Sequence, residues 1–85
     1  MKKKVQEKTE IRKYYLSEFQ LYDGEAFVTF NIVSIDTSKN EITVAVSNRG
    51  RISVTTYDLL TDGNGFLYFE YGVDYEKIYT DDFEV

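Results

Sequence analysis

The clearest strand pattern in the chain is Glu41-Ile42-Thr43-Val44-Ala45-Val46-Ser47. Its aliphatic side chains at positions 42, 44 and 46 share one face of an extended chain, while the polar residues Glu41, Thr43 and Ser47 lie on the other face. Turn-forming residues lie on both sides, Thr37-Ser38-Lys39-Asn40 before the stretch and Asn48-Arg49-Gly50 after it. The pattern therefore predicts a half-buried β-strand between two turns.

The neighbouring segments also read as strands. Glu25–Asp36 carries apolar residues on both faces, which predicts a central strand or a bulge near Ile32 and Val33. Ile11–Tyr22 fits the spacing of a short helix and that of a strand, so both stay open, and Asp23-Gly24 after it predicts a hairpin turn. Three further strands are predicted at Arg51–Asp58, Phe66–Tyr71 and Glu76–Phe83.

Short turns between successive strands predict an all-β, mainly antiparallel fold. A chain of this size can bury such strands as a five- to six-stranded meander or as a small SH3/OB-like barrel. Alternation assigns eight residues to the core: Phe30, Ile32, Val44, Val46, Ile52, Val54, Leu67 and Phe69.

Charge is unevenly distributed along the 85 residues. Residues 1–13 carry six Lys or Arg and two Asp or Glu, a net charge of +4, while residues 14–85 carry four and thirteen, a net charge of −9. Residues 1–10 also lack apolar periodicity. We therefore expect a flexible basic arm over residues 1–10 and a single acidic β domain over residues 11–85.

Composition argues against several classes of function. The chain has no Cys and no His, so thiolate and imidazole metal ligands and the commonest general base are missing. Asp62-Gly63-Asn64-Gly65 resembles the start of a calcium loop, but a hydrophobic strand follows where further ligands are needed, so it predicts a turn. We therefore expect that the protein is not an enzyme and that it has no catalytic residues, no metal and no cofactor. No apolar run approaches the roughly 20 residues of a membrane span. No apolar segment of a signal peptide follows Lys2, Lys3 and Lys4, and the chain has no Cys, so the expected location is cytoplasmic.

The candidate binding surface is acidic. Residues two apart in a strand share a face, and two pairs in the C-terminal third fit that spacing, Asp74 with Glu76 and Asp82 with Glu84. Regularly spaced carboxylates can stand in for the phosphates of a nucleic-acid strand. The predicted partner-binding set is Glu70, Asp74, Glu76, Asp81, Asp82 and Glu84.

A second candidate is the hairpin tip that carries Arg49 and Arg51, where two guanidinium groups can hold an anion. Together with the basic arm over residues 1–10 and with tyrosines 57, 68 and 71, it predicts an alternative function, a small barrel that binds nucleic acid and stacks its bases on aromatic rings. The net charge of −9 over residues 14–85 opposes direct nucleic-acid binding, which draws on clustered Lys and Arg. A homo-oligomeric structural module is the remaining alternative, and a homodimer is compatible with it.

The segments Ile52–Leu59 and Tyr68–Gly72, in a chain without Cys, His, Trp or Pro, resemble small acidic proteins of phages and mobile elements of low-GC Gram-positive bacteria. That group includes anti-CRISPR proteins and other DNA-mimic inhibitors. The resemblance implies a non-enzymatic inhibitor or accessory protein. Its partner is expected to be a host protein with a basic, nucleic-acid-binding site, such as a CRISPR nuclease.

Overall fold

The computed structural model describes residues 17–22 and 24–84, which form seven strands and one 3-10 turn. All strand pairs are antiparallel. The elements are β1 (Glu18–Tyr22), β2 (Phe27–Asp36), β3 (Glu41–Asn48), β4 (Arg51–Asp58), β5 (Leu60–Thr61), β6 (Leu67–Tyr71), β7 (Glu76–Tyr79) and the 3-10 turn (Thr80–Asp82).

The first sheet is a meander in the order β1-β2-β3-β4. Between β2 and β3, the Asp36 carboxylate accepts hydrogen bonds from the backbone N–H groups of Ser38 and Lys39, at 3.0 and 3.2 Å. The Ser38 hydroxyl donates to the same oxygen at 2.6 Å and is the largest cause of a lowered Asp36 pKa. The turn between β3 and β4 has two residues, Arg49 and Gly50, with φ angles of 54° and 81°. Positive φ at both positions matches the twist of the paired strands.

The predicted bulge in the second strand is confirmed. The β2–β3 register shifts between Ile32 and Ser34, so Val33 is the extra residue. The shift lets Ile32 and Ile35 both face inward, although three positions separate them.

The second sheet has the order β5-β6-β7 and joins the first sheet at both sides. On one side the chain passes from β4 through Leu59 into β5, and the Leu59 amide bonds to the Asn40 carbonyl at 2.8 Å. On the other side Glu18 of β1 exchanges two backbone hydrogen bonds with Glu84, at 2.7 and 2.8 Å. The two sheets thus form a barrel-like body, which confirms the predicted all-β antiparallel class.

The core lies between the two sheets. Its centre is Phe69, which is fully buried, stacks on Tyr57 with ring centroids 5.0 Å apart and meets Phe30 edge-on at 5.9 Å. Six of the eight predicted core residues contribute, five as buried residues and Leu67 as a half-buried neighbour. The buried apolar residues are Val28, Phe30, Ile32, Ile42, Val44, Val46, Leu59, Phe69 and Ile78.

The prediction that Ile52 and Val54 point into the core is wrong, since they are 73% and 65% exposed. Ile52 lies opposite Ser47 on the outer face of the sheet, and Val54 likewise lies opposite Ala45. Treating residues 48–50 as a three-residue turn places the strand one residue out of register. A shift of one residue moves every side chain of a strand to the other face.

The ends of the domain also differ from expectation. The predicted strand over residues 76–83 stops at Tyr79, where the 3-10 turn begins. Of the ambiguous segment 11–22, residues 18–22 are a strand. Residues 11–16 and the predicted basic arm over residues 1–10 lie outside the described residues.

Candidate functional site

Two carboxylates meet where β1 contacts the end of the chain. Glu18 and Glu84 lie directly opposite each other in an antiparallel bridge, and both are exposed. Residues opposite each other in such a hydrogen-bonded pair have Cα atoms about 5.5 Å apart and side chains on the same face. Like charges in that position repel each other. The bridge is therefore a local concentration of negative charge that a basic group would relieve.

Two surface depressions continue along the same edge of β1. The first is lined by Glu18, Phe19, Gln20, Asp82 and Glu84. The second is lined by Leu21, Tyr22, Tyr71, Gly72, Val73, Asp74 and Glu76. Neither is lined by a Lys or Arg of the described ranges 17–22 and 24–84. We call the five carboxylates along this edge the acidic seam: Glu18, Asp74, Glu76, Asp82 and Glu84.

Aromatic packing fixes the backbone beneath the acidic seam. The ring of Phe19 lies 5.6 Å from that of Phe83 and 6.4 Å from that of Phe30. Tyr71, from the second depression, packs edge-on against Phe30 at 4.8 Å. Both ends of the seam therefore adjoin aromatic side chains linked to the buried Phe30, and this packing holds β1, β6 and the chain around Phe83 in place beside the carboxylates.

The structure brings four of the six predicted acidic residues into the seam. The reason differs from the predicted one, because Asp74 lies in the turn before β7 and Asp82 in the 3-10 turn. The expected strand spacing between carboxylates two residues apart is therefore wrong. Glu18 was not among the predicted partner-binding residues. Its place in the seam follows from the pairing of β1 with Glu84, which no local sequence pattern indicates.

The other two predicted acidic residues lie elsewhere. Glu70 is opposite Lys77 in the β6–β7 pair and lines a different depression, together with Asp58 and Tyr75. Asp81 is exposed on the 3-10 turn and lines neither depression of the seam. The predicted acidic face is thus divided between at least two surfaces.

The arginine hairpin is partly neutralised within the chain. Arg49 at the tip forms an ion pair with Glu25 through its Nη2 atom and the Oε2 atom of the carboxylate. Arg51 is exposed at the start of β4. One of the two guanidinium groups predicted to hold an anion therefore already has a carboxylate partner.

The predicted tyrosine platform is not assembled on one face. Tyr57 stacks on Phe69, and Tyr71 packs against Phe30, so both rings belong to the inner packing. Tyr68 lies opposite Tyr79 on the outer face of β6, with the Lys77 ammonium 5.1 Å from its ring centroid. Because two of these tyrosines point into the packing between the sheets and the third points outward, they cannot stack successive bases of one strand.

Asp62 organises the turn that the sequence predicted between β5 and β6. Its Oδ1 atom accepts from the amides of Asn64 and Phe66 at 2.9 and 3.0 Å, and the Tyr79 hydroxyl donates to Oδ2 at 3.1 Å. The Phe66 amide is the largest cause of a lowered Asp62 pKa. Burial, followed by the hydrogen bond to Asp62, raises the pKa of Tyr79. Both carboxylate oxygens of Asp62 thus serve the fold.

The described residues hold neither a group of metal ligands nor a helix that could span a membrane, and no related protein matches the chain. Over residues 17–22 and 24–84, no three acidic side chains are grouped closely enough to hold a metal ion. The same residues include no helix with the length and apolarity needed to cross a bilayer. No family model, no curated protein and no solved structure matches the chain.

Proposed function

We propose that this protein is a non-enzymatic binding module whose acidic seam docks onto a basic surface of another protein. The observation that carries the proposal is the Glu18–Glu84 bridge, which holds two like charges side by side at the closure of the barrel. Negative charge held on paired strands attracts a basic surface over a long range and orients the approaching partner.

The dimensions of the seam suit a groove that binds nucleic acid. β1 extends from Glu18 beside one depression to Tyr22 beside the other, four steps of about 3.3 Å, or about 13 Å. A nucleic-acid strand carries one phosphate per about 3.4 Å of rise, so the length of β1 along the seam corresponds to about four phosphates. The proposed partner is a nucleic-acid enzyme of the host, such as a CRISPR nuclease, and occupation of its groove would inhibit it.

Affinity capture with matched variants tests this proposal. The seam variant carries Glu76→Gln, Asp82→Asn and Glu84→Gln, and the control variant carries Glu41→Gln, Glu70→Gln and Asp81→Asn. Each removes three charges with the same substitutions, but only the first set lies on the seam. From a lysate of a low-GC Gram-positive bacterium, the wild type and the control variant should retain the same protein, and the seam variant should lose it.

Equal retention by all three proteins contradicts the proposal. Mobility-shift assays at low salt address the nucleic-acid alternative, because binding through Arg49 and Arg51 would weaken steeply as salt is added. Binding of that kind, with no captured protein, would replace the proposed function by the alternative.

A further inference from the structure

β4 presents a free edge in the described part of the chain. It is the last strand of the four-stranded sheet, and among residues 17–22 and 24–84 its only ladder of paired residues is with β3. Beyond Asp58 the chain bends into the second sheet, so the free edge covers residues 51–56. Ile52 and Val54 on this strand are 73% and 65% exposed.

The backbone of the same residues points away from β3. Hydrogen-bonding directions alternate along an antiparallel strand. The Leu59 amide bonds to Asn40 of the β3 side, and the two-residue turn makes Arg51 a bonded partner of Asn48. Odd-numbered residues of β4 therefore bond to β3, and Ile52, Val54 and Thr56 direct their N–H and C=O groups toward the free edge.

This edge lacks the usual protection against pairing. Natural edge strands are shielded by charged side chains, by proline or by a bulge. Residues 52–57 contain no charged residue and no proline, and five of the six are β-branched or aromatic. The β3–β4 register has no shift. The strand is thus built to accept another strand.

We propose that β4 pairs antiparallel with β4 of a second copy of this chain, in a register centred on Val54. The two copies are related by a two-fold axis perpendicular to the sheet, so the outer faces of both sheets lie on the same side. In this register Val54 lies opposite Val54 of the second copy, and Ile52 lies opposite Thr56. The two four-stranded sheets then form one eight-stranded sheet. This inference is independent of the proposed function, because the acidic seam lies at the opposite edge, on β1.

The opposite charges at the two ends of β4 favour a second copy of this chain as the partner at the free edge. The hairpin end keeps a net positive charge, because Arg51 is exposed there beside Arg49, which is paired with Glu25, and the far end is acidic, with Asp58 opposite Glu41. Antiparallel self-pairing centred on Val54 places Gly50 of one copy opposite Asp58 of the other, so each basic tip reaches an acidic end. A parallel arrangement would place like charges together.

Cysteine cross-linking tests the register, because the natural chain contains no cysteine. In the proposed dimer the two Val54 Cα atoms are about 5.5 Å apart, within the range that a disulfide spans. Val54→Cys should oxidise rapidly to a covalent dimer. Val73→Cys, at a site that is 93% exposed on the β6–β7 turn, is the matched control and should remain largely monomeric.

Sedimentation measures the same dimer without a cross-link. The wild type should be dimeric, and Val54→Lys should raise the dissociation constant at least about tenfold, because two ammonium groups would meet on the axis. Val73→Lys and the seam variant should stay dimeric, and circular dichroism checks that every variant is folded. A wild type that is monomeric at all concentrations, equal cross-linking at positions 54 and 73, or a dimer unaffected by Val54→Lys would each overturn the proposal.

Discussion

Phe69→Ala is the most direct test of how the two sheets hold together. The ring is fully buried, stacks on Tyr57 and meets Phe30 edge-on, so the substitution leaves a cavity at the contact between the sheets. Truncation of a buried phenylalanine costs about 3–5 kcal/mol, and two aromatic contacts place this residue toward the upper end. At about 0.05–0.15 kcal/mol per residue, an 85-residue domain has about 4–13 kcal/mol in total, so a loss of about 5 kcal/mol removes between roughly two fifths and all of its stability.

Urea denaturation followed by circular dichroism gives the free energy of unfolding. Phe66→Ala is the matched control, because it removes the same ring three residues earlier, where the side chain is 50% exposed. The control should cost less than about 1 kcal/mol, since the Phe66 amide that bonds to Asp62 is kept. Equal destabilisation by both substitutions would refute the packing of the second sheet on the first.

Two further predictions concern the turns. Folding lowers the pKa of Asp36 and of Asp62 below the ordinary carboxyl pKa of 3.8, so their ionised carboxylates stabilise the folded state. This stability is present above pH 3.8 and is lost as the pH falls through the lower pKa values of the folded state. Asp36→Asn with Asp62→Asn should therefore lower the melting temperature at neutral pH, and the difference from the wild type should narrow below pH 3.8; a constant difference would contradict this. Gly50→Ala should cost about 1–2 kcal/mol in thermal melts, because only the positive φ of 81° opposes a Cβ there. Gly63→Ala, with no positive φ and open space around it, should stay near the wild type, and equal effects would remove the strain argument.

The buried face of a strand could be predicted where apolar and polar residues alternate along the segment itself. The alternation over residues 41–47 gave the buried face of β3 correctly, and the crowding of apolar residues near Ile32 and Val33 located the bulge. The face of β4 could not be predicted in this way. Its apolar residues at 52 and 54 and its aromatic residue at 57 have opposite parity, so the register set by Arg49-Gly50 decides which face is buried.

The acidic seam depended on contacts between distant parts of the sequence. Asp74 and Glu84 were predicted as part of an acidic surface, but the residue that completes the bridge, Glu18, is 66 positions away from Glu84. Only the closure of the barrel brings these residues together. Glu70 was also predicted to lie on this surface, but in the β6–β7 pair it lies opposite Lys77, away from the seam.

Whether the acidic seam binds a basic partner is tested by the association rate of the captured protein, measured at low and at high salt. The wild type and the control variant should associate quickly at low salt and slow markedly as salt rises, because attraction between the seam and the partner steers the encounter. The seam variant should associate slowly at both salt levels. If the seam variant associates as fast as the control variant at low salt, the acidic seam is not the surface that attracts the partner.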